Sequence, residues 1–311
     1  MTALTPHRAG MLLAIVAAFG FSFKAIFIKL AYPYGVDAIT LLALRMAFAL
    51  PIFLWVGFRA SRSAPPLSGR DWLVVLFLGS VGYYGASILD FLGLRYISAG
   101  LERLILFTYP TITLLLGLLM YQQRITRRQV GATLLCYAGI AAAFIHDLRI
   151  SGDISAVWLG GALVFASSCC YALYLAGSAG MIARIGTARF TALALLVSST
   201  MVFAHYFTTH PVQILLDQPL PVYGYALAMG LLSTAMPVFA QSAAVRRLGS
   251  GESALVSMVG PLLTIVFAAI LLDEGFSLAQ MVGVILVLAG VASLGRRAPD
   301  STASAAVSAK Q

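Results

Sequence analysis

Apolar residues fill this chain in runs of about 20, the length an α-helix needs to cross a bilayer, and short polar turns separate them. The runs are Gly10 to Leu30, Ala38 to Phe58, Trp72 to Leu92, Ala99 to Met120, Val130 to Ile145, Ala156 to Ala176, Ala188 to Phe207, Val222 to Ala243, Gly251 to Leu272 and Leu278 to Leu294. They predict ten helices and no sheet, because they are continuous and lack the alternation of a transmembrane barrel strand. One polar stripe interrupts the third run: Gly79, Gly82, Tyr83, Ala86, Ser87 and Asp90 recur at helical spacing on an otherwise apolar helix. Lighter stripes follow at Ser167, Tyr171, Tyr174 and Ser178 in the sixth run and at Ser253, Ser257, Gly260 and Thr264 in the ninth.

Composition agrees with an all-α polytopic membrane protein: 60% of residues are hydrophobic, 10% are charged, and the mean hydropathy is +0.94. A net charge of +9 would suggest nucleic acid in a soluble protein, but here the basic residues lie in short clusters between apolar runs. Nucleic-acid binding is therefore not expected; the partners are a lipid bilayer and a small-molecule substrate, and the chain is expected to act as a monomer, with a dimer left open. With both termini placed in the cytoplasm, the inner segments hold 14 Lys and Arg, the outer loops hold only Arg95 and Arg149, and Lys24, Lys29, Arg45 and Arg103 lie within or at the ends of spans, which accounts for all 20. The first run continues past Lys24 and nine more follow, so it reads as a span rather than a cleaved signal. Cys136, Cys169 and Cys170 fall within spans and read as buried, inert thiols. The Ala- and Ser-rich tail, 298–311, reads as disordered.

Laid over itself with a shift of 151 residues, the chain brings Gly100 onto Gly251, Pro110 onto Pro261, Thr113 onto Thr264, Gln129 onto Gln280 and Gly139 onto Gly290. This predicts two repeats of five helices, 1–147 and 154–297. Five is odd, so the second repeat enters the membrane from the opposite face, as in alternating-access transporters.

The residues FGFSFKAIFIKLA in the first run, LLALRMAFALP with Arg45 in the second, the paired units Gly100 to Gly139 and Gly251 to Gly290, and LLDEG with Glu274 resemble the drug/metabolite transporter superfamily in its EamA-type ten-helix branch. The resemblance covers nearly the whole chain. It implies an exporter of small metabolites in a bacterial inner membrane, with a central cavity lined by the first, third, fourth, sixth, eighth and ninth helices, and the fifth and tenth bracing. The narrower likeness is to YddG-like exporters of aromatic amino acids. The chain departs from the family after the fourth run, where Gln122 and Gln123 replace the usual acid.

Charges inside a membrane are costly and by default face the protein interior or water. Lys24 lies near the middle of the first run; it either meets a substrate carboxylate or pairs with Asp90. Arg45 reads as a tie between helices. Glu102 and Arg103, at the outer start of the fourth run, are expected to be interfacial and solvated. Around these, the helices that the resemblance places at the cavity offer Tyr83, Tyr84, Ser87, Phe107, Tyr109, Trp158, Tyr171, Tyr174, Gln241 and Ser257 as substrate contacts, since tyrosines can stack on a flat solute and donate hydrogen bonds. Pro110, Pro237 and Pro261 are hinge candidates.

Enzyme motifs such as HExxH, Walker A and GxSxG are absent. Neither a cofactor nor a metal is expected. Asp90 is taken as the sole carboxylate well inside a span. The expected activity is export of an amphipathic metabolite, most readily an amino acid. A cation/proton antiporter and a phosphate-ester or nucleotide-sugar exchanger are the transport alternatives; a channel or scaffold is the alternative outside transport.

Overall fold

The computed structural model describes residues 5–62, 64–121, 127–248, 253, 256–257, 259–275 and 278–295. Gln122, Gln123, Gly251 and the 298–311 tail lie outside the described residues. Helices α1 (Pro6–Ala31), α2 (Ala38–Ser61), α3 (Gly69–Gly93), α4 (Ala99–Leu106), α5 (Tyr109–Tyr121), α6 (Arg127–Ser151), α7 (Ile154–Ile185), α8 (Thr187–Thr209), α9 (Val212–Leu216), α10 (Leu220–Leu248), α11 (Val259–Leu271) and α12 (Leu278–Gly295) follow one another with no strand among the described residues. Among the described residues seven helices are long and apolar enough to cross a membrane. Side chains such as Trp55, Phe58, Leu73 and Leu134 stay exposed on their outer faces, which makes this an integral membrane protein.

Helix starts follow local chemistry. Asp37 accepts from the Ile39 and Thr40 amides at α2, Ser68 and Asp71 form a capping box at α3, and Ser98 caps α4. The fourth run, expected to be one helix, is broken at Phe107 and Thr108. Pro110 has no amide hydrogen, so the Leu106 carbonyl loses its helical donor. Ser168 of α7 supplies one instead, its hydroxyl donating to Leu106 at 3.1 Å.

Helices α3 and α10 each contain a widened π-turn, at Ser80–Gly85 and Leu231–Ala235. Leu231 is 151 residues after Ser80. In α10 the cause is Pro237, which cannot donate to Ser233; in α3 the segment carries Gly82 and Gly85 instead. Each π-turn is crossed by the first helix of the other half. A Cβ on Gly82 would lie 2.2 Å from Tyr174 Cβ of α7, and one on Gly20 of α1 would lie 2.5 Å from the Leu232 carbonyl of α10. Only glycine permits either approach.

A third crossing joins α6 to α12. A Cβ on Gly139 would meet the Gly283 carbonyl at 2.4 Å, and one on Gly290 would meet the Ala132 carbonyl at 2.5 Å. Between them the Cys136 thiol donates to the Val287 carbonyl at 3.5 Å, across a separation of 151 residues. The contact Gly139 to Gly283 becomes Ala132 to Gly290 when the halves are exchanged. Cys136 and Val287 therefore mark where the two halves meet on equal terms.

Candidate functional site

Lys24, on α1, projects between two acids. Its Nζ is 2.6 Å from Asp90 Oδ2 on α3 and 3.1 Å from Glu102 Oε1 on α4. Of the two openings the sequence leaves for Lys24, the geometry shows pairing with Asp90. Glu102 corrects the expectation of a solvated interfacial residue, because it is 0% exposed. The reason lies in how α4 begins. Ser98 donates to Asp147 of α6, and Glu274, from the other half of the chain, accepts the Ala99 amide at 3.0 Å, so the first turn of α4 is sealed inside the bundle. Asp90 is thus not the sole carboxylate within the spans.

Arg45 crosses from α2 to α3, donating from Nη2 to Ser87 Oγ at 3.0 Å and lying 4.8 Å from the centre of the Phe91 ring. Ser87 therefore holds Arg45. The Tyr32 hydroxyl donates to the Phe91 carbonyl and anchors the same corner. Arg103, neighbour of Glu102, lies 5.6 Å from the centre of the Phe107 ring.

From Phe107 the rings run on in an unbroken series. Phe107 meets Tyr109 at 6.1 Å, Tyr109 meets Tyr171 at 5.2 Å, and Tyr171 stacks on Tyr174 at 5.9 Å. Tyr174 lies edge-on to Tyr83 at 4.8 Å, donates to its hydroxyl at 3.3 Å, and stacks on Phe190. Five predicted aromatics are brought together, and two are not. Tyr84 turns to α8, where its hydroxyl is 2.9 Å from His205 Nδ1. Trp158 packs on Phe144 and is 61% exposed on the outer face.

Gln241 donates to Ser253 Oγ at 3.0 Å and accepts from Ser257 at 3.3 Å, tying α10 to the start of the ninth run. Pro110 falls in the first turn of α5, Pro261 in the first turn of α11, and Pro237 immediately after a π-turn. An apolar hollow of about 500 Å³, lined by Phe19, Phe23, Phe27, Leu232 and Met236 among others, lies between α1 and α10 and holds none of the predicted residues. Among the described residues no three His, Cys, Asp or Glu side chains cluster as a metal site would need.

The sequence reading undervalued Glu102 and Arg103. A signal was present: they sit inside the fourth run, with Leu101, Leu104 and Ile105 around them, and a charge within an apolar run of membrane-spanning length faces the interior by default.

The model of the EamA-like transporter family matches residues 8–145 and again 158–296. An uncharacterized transporter of Bacillus subtilis, YcbK, is 26% identical over 284 residues, 88% of this chain and 89% of its own length. An uncharacterized transporter of Archaeoglobus fulgidus is 24% identical over 90% of this chain and 96% of its own length. A WAT1-related protein of Arabidopsis thaliana is 26% identical over 85% and 82%. A crystal structure superposes with a TM-score of 0.63 at 16% identity, covering 92% of this chain and 96% of that one, a likeness of fold. Two matches to one family model, together spanning most of the chain, establish that this protein belongs to the EamA-like transporter family of the drug/metabolite transporter superfamily and is a membrane transporter, not an enzyme.

Proposed function

We propose that the chain spans the inner membrane of a bacterium ten times as two inverted five-helix repeats with cytoplasmic termini, and exports a small amphipathic metabolite, most readily an aromatic amino acid, by alternating access. The observation that carries this is the exchange of equivalent contacts between halves. Helix α1 crosses the π-turn of α10 as α7 crosses that of α3, and the α6 to α12 contact maps onto itself through Cys136 and Val287. A site between such halves opens to either side when they exchange shapes. The distribution of basic residues supports the orientation, with 14 Lys and Arg in the inner segments and only Arg95 and Arg149 in the outer loops. The series of tyrosines beside a cluster of buried charges suits a cargo with a flat apolar body and a charged end.

One observation favours a second reading, proton-linked antiport. Asp90 and Glu102 share Lys24, and the structure thereby supplies a buried glutamate that the first run lacks. A single assay separates the two. Purified protein in liposomes is offered labelled amino acids, nucleosides and organic cations, with and without a pH gradient. Movement of aromatic amino acids is the expected result; movement of cations alone, driven by the gradient, would replace the first reading with the second.

A further inference from the structure

Four basic residues lie within or at the ends of the spans, and three are engaged. Lys24 meets two carboxylates, Lys29 lies 3.8 Å from Glu274, and Arg45 donates to Ser87 against the Phe91 ring. Arg103 differs from all three. Among the described residues no carboxylate is at ion-pair distance from it, and its buried Nε has no hydrogen-bond partner. A guanidinium carries five N–H donors and no acceptor, so a buried donor left unused inside a membrane is costly.

The surroundings of Arg103 are those of a receptor for one end of a molecule. Phe107 covers one face of the guanidinium. Gly260 of α11 adjoins the guanidinium, and a Cβ there would lie 3.0 Å from Nη2. Glu102, next to it in the chain, takes part in the charge cluster through Lys24, while the Phe107 ring that the guanidinium meets begins the aromatic series through Tyr109 and Tyr171. Arg103 thus stands at the junction of the charge cluster and the aromatic series.

We propose that Arg103, and not Lys24, receives the cargo's carboxylate, with the cargo's flat body lying along Phe107, Tyr109 and Tyr171. The ligand class is small aryl carboxylates, aromatic amino acids among them. This rests on the transport reading above and adds the anchoring group. A planar fork suits a carboxylate in bidentate geometry, whereas the Lys24 ammonium already has two acids to satisfy.

The probes are L-phenylalanine, L-phenylalaninamide and phenethylamine, competing against labelled L-phenylalanine in counterflow with proteoliposomes. Thermal stabilisation of the detergent-purified protein by the same three reports binding where a variant does not transport. The wild type should prefer the acid to the amide by about 30-fold or more. Arg103→Gln should bring the two within about threefold of each other with an unchanged size-exclusion profile, and Arg103→Lys should recover part of the gap. A merely structural arginine would alter stability without moving this ratio. Acid preference retained in Arg103→Gln, or no preference in a wild type that moves the label, overturns the anchor and leaves the transport reading standing. A wild type that neither moves nor binds any of the three overturns the aromatic cargo reading and the anchor with it.

Discussion

At two of three equivalent positions both halves carry polar groups, charged in the first half and neutral in the second. Lys24, Asp90 and Glu102 in the first half stand 151 residues before Leu175, Gln241 and Ser253 in the second. In the first half an ammonium joins two buried acids; in the second an amide donates directly to a hydroxyl, Gln241 to Ser253, with no ion between them. Both arrangements link the third helix of a repeat to the start of its fourth. The scaffold therefore accepts a neutral pair where it also accepts a charged triad. Charge is not what the fold requires there, and its presence on one side alone makes the interior asymmetric, as a site for an asymmetric cargo must be.

The largest effect should come from leaving the acids without their cation. Lys24→Leu strands Asp90 and Glu102 in the bundle, and breaking a buried ion pair in this way costs about 3–5 kcal/mol. Thermal unfolding in detergent and the folded fraction on size exclusion would read it. The triple change K24L, D90Q and E102S writes the second half's residues into the first and should restore most of that stability. A triple variant as unstable as the single one would refute the equivalence of the two linkages.

The crossings at the π-turns come next. Gly82→Val and Gly20→Val each push a side chain into space already filled across the bundle, at a cost of about 1–3 kcal/mol. Wild-type melting in either would show that the halves do not need that approach.

Arg45→Met removes a bond to Ser87 and a ring contact with Phe91, and should lower stability by about 1–2 kcal/mol while leaving cargo preference unchanged. A changed preference would move Arg45 into the site. Trp158→Ala should leave transport rates as they are, while Tyr174→Ala reduces them; equal losses in both would bring the outer face into the mechanism.

The smallest effect concerns Glu274, whose position in the first half is held by Gln123. Burial pushes the Glu274 carboxyl above its usual range, against the pull of the Ala99 amide and Lys29. With its proton held more tightly in the folded chain, this group's contribution is whole below the ordinary carboxylate range and is lost as pH rises through the raised value. Glu274→Gln should flatten that step in melts taken between about pH 4 and 8. An unchanged step would assign it to another group.

Much of the candidate site was legible because it rested on spacing along one helix. Tyr83 and Asp90 share the third-run stripe, Tyr171 and Tyr174 share the sixth, and both sets face the interior. Tyr84 and Trp158 were misplaced because aromatic content alone does not say which way a ring points. Tyr84 is adjacent to Tyr83 and so lies on another face of α3, towards His205. The break after Leu106 and the two π-turns are not legible in the linear pattern because a proline marks where a helical hydrogen bond is lost, at Pro110 and Pro237, without saying whether the chain answers with a break or a widened turn, and α3 has no proline at its π-turn.

The linear pattern by itself determined the membrane class, the duplication and the polar positions, since run length, charge distribution and a constant offset of 151 residues need no partner to be read. Tertiary structure decided which charges meet. Lys24 and Asp90 are 66 residues apart, and Glu274 closes α4 from 175 residues away. Burial of Glu102 and the unpartnered Nε of Arg103 are likewise tertiary facts, because whether a charge is solvated, paired or left waiting for a ligand depends on what the neighbouring helices bring to it.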